Sequence, residues 1–376
     1  MVSARELRWE TRLLAVVTAI LTVFGIASLY AAATLEPDAW GFFTRQLTGA
    51  VFGGLLMAIV SRVDYHRWRE YAWPLLLATL VLLLIPLLPF TRGISPSRNG
   101  ARRWVVLGPL NLQPSEVARF TVAVWVAMLA AKKGEALRGF KKGLLPLLVV
   151  LGAVSLLILL EPNLSMAVLV GLIGGIILFT AGAKIGHFLL LGLGGVFAAI
   201  SLIWAEPYRL TRLRCFLEPC VEGSFQLNQA LIGFGSGGAL GQGFGQGQLK
   251  LHYLPYAYSD FLFSTIGEEW GFLGVIVVVT LFALFCWLGL RIARTAPDPF
   301  GQYLATGLTA TIALAALLHM SVTLGLMPTT GLSFPFMSYG RSGLVIALVS
   351  VGVLINIGRA RGRPVKPQPA AGKRQR

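Results

Sequence analysis

The stretch LLPLLVVLGAVSLLILLEPNLSMAVLVGLIGGIILFT, residues 144–180, holds one charged side chain, Glu161, in 37 positions. Glu161-Pro162 splits it into two apolar runs of about 17–20 residues, each near the length that crosses a ~30 Å hydrocarbon layer as a helix. Similar runs recur from Leu13 to Gly358, and the whole chain is 56% hydrophobic and 13% charged. Soluble domains carry about 25% charged residues. The expected fold class is therefore all-α, a polytopic integral membrane protein. It has about ten transmembrane helices, at 13–33, 43–61, 72–90, 113–131, 144–160, 163–182, 186–205, 260–290, 301–325 and 337–358. They form one transmembrane domain, 1–358, with a long extracytoplasmic loop at 206–259 before the eighth span. A basic, Pro-rich and disordered cytoplasmic tail follows at 359–376. A soluble enzyme, a β-barrel of alternating strands and a secreted disulfide scaffold are excluded. The first run continues past Leu21 and Tyr30 with no small-residue cleavage pattern, so no cleavable signal peptide is expected.

The net charge of +16 comes from 32 basic and 16 acidic residues. On a soluble chain it would suggest nucleic acid; here the positives sort by membrane side instead, and no nucleic-acid partner is expected. One set of flanks holds 21 of the 32, from Arg5, Arg8 and Arg12 through Lys132, Lys133, Arg138, Lys141 and Lys142 to seven in the tail. Both termini fall on that side, which an even number of spans requires, so both are cytoplasmic. The other side keeps Arg92, Arg98, Arg102 and Arg103, then Arg209, Arg212, Arg214 and Lys250. Arg45, Arg119 and Arg341 lie inside or at the rims of spans. Arg92 and Arg98 read as snorkelling or paired residues. The remaining outward cations fit an anionic ligand such as a pyrophosphate headgroup. Cys286 lies in an apolar run as buried filler. Cys215 and Cys220 pair if their loop is extracytoplasmic, though five residues apart is no framework.

Ionisable residues at membrane depth each cost at least ~2.5–3.5 kcal/mol at the bilayer centre, so each needs an account. Pro114 and Ser115 open the fourth span, with Glu116 and Arg119 three apart on one face about a turn further in. They are either an internal ion pair or a polar wall on a cavity. Asp260 stands at the expected start of the eighth span, where the helix dipole favours its charge. On a helix it would line up with Ser264, Gly267, Gly271 and Gly274. Its alternatives are a helix cap or a salt bridge to Arg. Before it, residues 233–247 are dominated by glycine and read as a flexible or re-entrant substrate loop rather than a nucleotide loop. Residues 327–342, with Ser338 and Tyr339, form an irregular polar turn at the membrane face. The four histidines show no ligand spacing, and no structural metal is expected.

Several strings in order along this frame resemble the SEDS family (shape, elongation, division and sporulation), the FtsW and RodA membrane glycosyltransferases of bacterial cell-wall synthesis. They are Phe43-Thr44-Arg45-Gln46; Ala101-Arg102-Arg103-Trp104 with Gln113-Pro114-Ser115-Glu116; and Phe225-Gln226-Leu227 through Gly238. Tyr253-Leu254-Pro255 with Ser259-Asp260-Phe261, and Pro328 to Gly340, complete the set. Pro207-Tyr208-Arg209 with Arg212, Ile266-Gly267-Glu268-Glu269 and Gly331-Leu332-Ser333-Phe334-Pro335 resemble the division branch more than the elongation branch. The chain departs from the pattern at Asn163 and Ser165, at Tyr256 and Tyr258, at His319 and at Arg341.

The resemblance implies polymerisation of lipid II, the undecaprenyl-pyrophosphate-linked disaccharide pentapeptide, at the outer face of the bacterial inner membrane. Asp260 is the candidate general base for the acceptor hydroxyl, in one inverting displacement. Arg45, Arg102, Arg103, Arg119 and Lys250 are candidates to stabilise the pyrophosphate. Glu116 would orient Arg119, and Ser338 and Tyr339 belong to the substrate-binding surface. No cofactor is assigned, and a divalent cation (Mg or Mn) could share the stabilisation of the leaving group, its ligands unassigned. The implied partners are a class B penicillin-binding transpeptidase, other divisome subunits and membrane lipids. The competing readings are a lipid II flippase or transporter, an elongation-type polymerase, and a non-catalytic division scaffold. A carboxylate at one membrane face suits catalysis better than alternating access, whose sites lie near the midplane.

Overall fold

A computed structural model describes residues 9–97, 101–108, 110–204, 207–217, 225–255 and 257–360. Its helices in chain order are α1 (Trp9–Ala33), α2 (Ala39–Val60), α3 (His66–Leu84), α4 (Pro114–Lys133), α5 (Leu145–Leu160) and α6 (Leu164–Thr180). They continue with α7 (Ile185–Trp204), α8 (Pro207–Leu217), α9 (Phe225–Gly237), α10 (Leu262–Arg294), α11 (Pro299–Thr323) and α12 (Arg341–Ala360). One hairpin, β1 (Val105–Leu107) and β2 (Leu110–Leu112), pairs antiparallel with Val105 opposite Leu112. Among the described residues nine helices are long and apolar enough to cross a membrane, and α6 is apolar but shorter, at 17 residues. The fold is all-α and polytopic. The expected long loop differs from a plain loop, because α8 and α9 lie within it. The tail beyond Ala360 lies outside the described residues.

The most enclosed helix is α4, with fifteen of its twenty residues buried. Its ends are written in the sequence. Pro114 occupies the first turn, where no N–H partner is needed, and Lys132 and Lys133 meet the negative dipole end. At the periphery α7 turns Leu189, Leu193, Phe197 and Trp204 outward, as a lipid-facing helix does. Packing between helices relies on close approach, since lipid offers no hydrophobic contrast. A Cβ on Gly352 of α12 would fall 2.8 Å from the Met57 carbonyl oxygen of α2. At the end of the bundle that carries both ends of the described chain, polar groups lock two turns to α12. Asn356 accepts from Tyr65 N (2.9 Å) and donates to Ser61 O (3.0 Å), while the Tyr65 hydroxyl donates to Asp298, the N-cap of α11.

The other end is shaped by a break in α10. At 33 residues this helix would extend about 50 Å if straight, but Gly271 interrupts it with φ 62° and ψ −161°. The glycine-rich segment fills the gap. Gln242 N donates to Glu268 O and Gly243 N to Glu269 O, both at 3.0 Å, while Phe272 N and Leu273 N donate to Gly238 O (2.9 Å) and Ala239 O (3.2 Å). The orphan groups on both sides of the break are thereby satisfied. Of residues 233–247, read as a flexible or re-entrant substrate loop, 233–237 end α9 and 238–243 splice into α10, so this part is held by backbone hydrogen bonds rather than free. The Glu268 carboxylate adds to the splice by accepting from Gln248 N (2.8 Å) and Leu249 N (3.2 Å).

Candidate active site

Asp260 does not lie on a helix. The first residue of α10 is Leu262 and Phe261 is its N-cap, so the expected stripe from Asp260 through Gly274 does not form. The carboxylate sits instead on an irregular segment clamped from behind. Ser338 Oγ donates to Ser259 O (2.5 Å) and Tyr339 N to Tyr258 O (3.1 Å). The clamp is itself held by Gln46 of α2, whose Nε2 donates to Ser338 O (3.0 Å) and whose Oε1 accepts from Gly340 N (3.2 Å). Phe42 packs against both Tyr258 and Tyr339, with ring centroids 4.7 and 4.8 Å away. Ser338 and Tyr339 thus hold the backbone beside Asp260.

Asp260 is half-buried. Burial pushes its carboxyl up to about 6, against the pull of Arg212, the Ser259 hydroxyl and Arg103. Arg212, from α8, is anchored by Nη1 to Thr329 O at 3.0 Å. Arg103, just before β1, donates from Nε to Glu161 O (3.0 Å) and from Nη2 to Pro162 O (2.6 Å). Two guanidiniums from distant parts of the chain therefore face one carboxylate. Behind Arg103 stands Glu161, at 1% exposure, whose carboxyl oxygens find no hydrogen-bond partner among the described residues. Burial pushes this carboxyl up to about 8, with Arg103 opposing.

The other expected cations take separate places. Arg102 is a brace: Nε donates to Ser95 O (2.9 Å), Nη1 to Leu88 O (2.9 Å) and Nη2 to Thr91 Oγ1 (2.8 Å). Arg45 pairs with Asp38 at 2.8 Å, with both side chains about half exposed, and reaches Tyr339. Lys250 donates to Gly245 O and faces Glu269. Arg119 is buried in an ion pair with Glu116, and Glu116 also accepts from Ser333 Oγ at 3.2 Å. The pair is thus internal, yet Arg119 lines a cavity of about 20 Å³ with Ser333 and Ser338, room for about one water. That cavity lies under the same segment that clamps Asp260. Among the described residues no three His, Cys, Asp or Glu side chains stand close enough to hold a metal ion. Around Asp260 a divalent cation would meet one carboxylate and two repelling guanidiniums, and would need ligands from the substrate.

Sequence reading missed Arg212 and Glu161 as site residues. The first was legible only as one of several outward cations and as part of a string resembling the division branch, the second only as a break between spans. Cys215, one turn beyond Arg212 on α8, is disulfide-bonded; Cys220, the other half of the expected pair, lies outside the described residues. Cys286 is a free thiol and half-buried rather than fully buried.

Membrane helices around a guarded carboxylate at one end define a class of polytopic membrane protein, and comparison with known proteins narrows it. The family model described as "cell cycle protein", covering FtsW, RodA and SpoVE, matches residues 6–362. The probable peptidoglycan glycosyltransferase FtsW of Geobacter sp. (strain M18) is 38% identical over 352 residues, 91% of this chain and 95% of that one. Stage V sporulation protein E of Bacillus subtilis (strain 168) is 34% identical, covering 92% and 96%. Among solved structures, a chain from "Structural coordination of polymerization and crosslinking by a peptidoglycan synthase complex" aligns with TM-score 0.78 and 26% identity, covering 93% of this chain and 98% of that one. The rod shape determining protein RodA of Thermus thermophilus aligns with TM-score 0.70 and 28% identity, covering 93% and 97%. The chain belongs to the FtsW, RodA and SpoVE family.

Proposed function

We propose that this chain is a peptidoglycan glycosyltransferase of the division type, polymerising lipid II into glycan strands. The observation that carries the reading is Asp260, whose carboxyl is raised to about 6 on a clamped segment faced by two anchored guanidiniums. At neutral pH such a group is mostly ionised yet basic enough to accept a proton. The acceptor sugar hydroxyl gives its proton to Asp260 as its oxygen bonds the donor's anomeric carbon. The bond from that carbon to the pyrophosphate oxygen breaks with its electron pair, leaving undecaprenyl pyrophosphate, and the configuration inverts. Arg103 and Arg212 are fixed charges that cost no reorganisation as negative charge builds on the leaving group. Arg119 acts further back, with Glu116 setting its orientation.

Counting α6 as a span, ten of the described helices would cross the membrane. Its 17 residues are at the short end of what suffices. Both termini then lie in the cytoplasm and Asp260 faces outward, in agreement with 21 of 32 basic residues on the terminal side. The similar synthase complex supports a class B penicillin-binding transpeptidase as partner, with other divisome subunits around the pair.

Glycan-chain formation from purified lipid II tests the reading, with wild type and Asp260→Asn each measured with and without the transpeptidase. Polymer from wild type alone, at equal folding and partner binding, is the expected result. Equal polymer from both removes Asp260 from the chemistry.

A further inference from the structure

At the end of the bundle opposite Asp260, the connection from α4 to α5 is a fixed basic elbow. Gly134–Arg138 forms a 3-10 turn and Phe140–Leu144 a π turn. Lys133, the last residue of α4, ties the second turn back to that helix, its Nζ donating to Lys142 O (2.5 Å) and Gly143 O (2.8 Å). Leu137 is fully buried beneath, and a Cβ on Gly143 would lie 2.0 Å from Ala136 O, so the two turns are in close contact. From this rigid base Arg138, Lys141 and Lys142 project as exposed side chains around Phe140, itself 44% exposed.

The Phe140 ring lies 5.4 Å from that of His187, which brings the elbow to the first turn of α7. There Lys184 and Ile185 are exposed, and His187 Nδ1 is buried without a hydrogen-bond partner among the described residues. Of the cations at this end, some have work in the fold. Arg291 pairs with Glu10 and stacks on Trp9 and Trp287, and Arg359 donates to Ser61. Arg138, Lys141, Lys142 and Lys184 have no carboxylate within ion-pair distance among the described residues. A topogenic signal needs only charge and would work on a floppy loop; here the charges are held on a pinned turn, beside a positive helix end and an exposed aromatic ring.

We propose that the α4–α5 elbow and the start of α7 form a binding site for an anionic glycerophospholipid, with Arg138, Lys141, Lys142 and Lys184 on its phosphate and Phe140 and Ile185 against its acyl chains. Basic pockets between transmembrane helices suit such headgroups, and an aromatic ring at headgroup level matches the interface. The assignment does not depend on the chemistry at Asp260.

The full chain in nanodiscs of phosphatidylcholine, with or without diphosphatidylglycerol, gives the test by native mass spectrometry of retained lipid. The elbow variant Arg138→Gln/Lys141→Gln/Lys142→Gln is compared with a control, Arg62→Gln/Arg67→Gln/Arg294→Gln, which removes three exposed cations elsewhere on the same end. Wild type and control should retain diphosphatidylglycerol, and the elbow variant should lose preference roughly tenfold or more. Equal loss in both variants would mean diffuse attraction and overturn the site, as would wild type retaining no anionic lipid. Polyglutamate binding at the elbow where diphosphatidylglycerol does not bind would assign the surface to a protein partner and sink the proposal.

Discussion

At Asp260 and Glu161 the protein keeps two carboxyls with raised affinity for protons on either side of Arg103, and this has consequences for stability. Glu161 holds its proton up to about 8 against an ordinary 4.5. Its stabilising contribution is full below about 4.5 and is lost as pH rises through 8, on the order of a few kcal/mol in all. The thermal midpoint of wild type in detergent should therefore fall between those pH values, and Glu161→Gln should flatten the fall; parallel curves would contradict this. The neutral amide should also leave polymerisation near wild type at pH 7. Asp260 follows the same sign over its own window, from 3.8 to about 6. Asp260→Asn should lose polymerisation while its midpoint at pH 8 equals or exceeds wild type, the pattern of a carboxylate held at a cost for function. Asp260 was legible because its flanking strings carry the family resemblance. The approach of Arg212 and Glu161 to this site was not, since they stand 48 and 99 positions away in the chain and only the fold brings them near.

Among the elements, the break in α10 shows how composition can reveal a close approach without revealing its partner. Fifteen residues rich in glycine allow a close backbone approach, to a ligand or to another helix, and read as a substrate loop. What they meet is fixed by hydrogen bonds to Glu268 and Glu269, which no local pattern encodes. Gly271 is the pivot, with φ in the left-handed region and space for no side chain, a Cβ falling 2.3 Å from Gly241 N. Gly271→Ala should cost more than about 2 kcal/mol, read as a lower thermal midpoint and poorer yield of folded protein. An unchanged midpoint would mean that the splice can relax. The start of α10 was misplaced for a related reason. Asp260 has a good first-turn character, but the clamp from Ser338 and Tyr339 holds residues 258–259 out of the helix, a tertiary contact overriding a local preference.

Over the whole molecule, hydropathy placed the spanning helices to within about four residues, because lipid-facing helices must be apolar along their length; the exception is the third, expected at 72–90 and observed as α3 at 66–84. The observed α5 (145–160), α6 (164–180) and α7 (185–204) nearly coincide with the expected spans. Orientation rests on charge and can be checked by labelling. With Cys286 replaced by serine, a membrane-impermeant maleimide should label Leu35→Cys in intact spheroplasts and Lys141→Cys only after permeabilisation. The reverse pattern would place Asp260 in the cytoplasm, away from a growing wall. The central proposal is that Asp260 is the base, its proton affinity raised by burial and held back by anchored guanidiniums. The pH dependence of kcat/KM for glycan-chain formation from lipid II, in wild type and Arg212→Gln, tests it most directly. The rate should rise with pH through a midpoint near 6 in wild type, and through a higher midpoint in the variant, because losing Arg212 destabilises the carboxylate. A midpoint that stays in place without Arg212, or a rate flat with pH across that range, would contradict it.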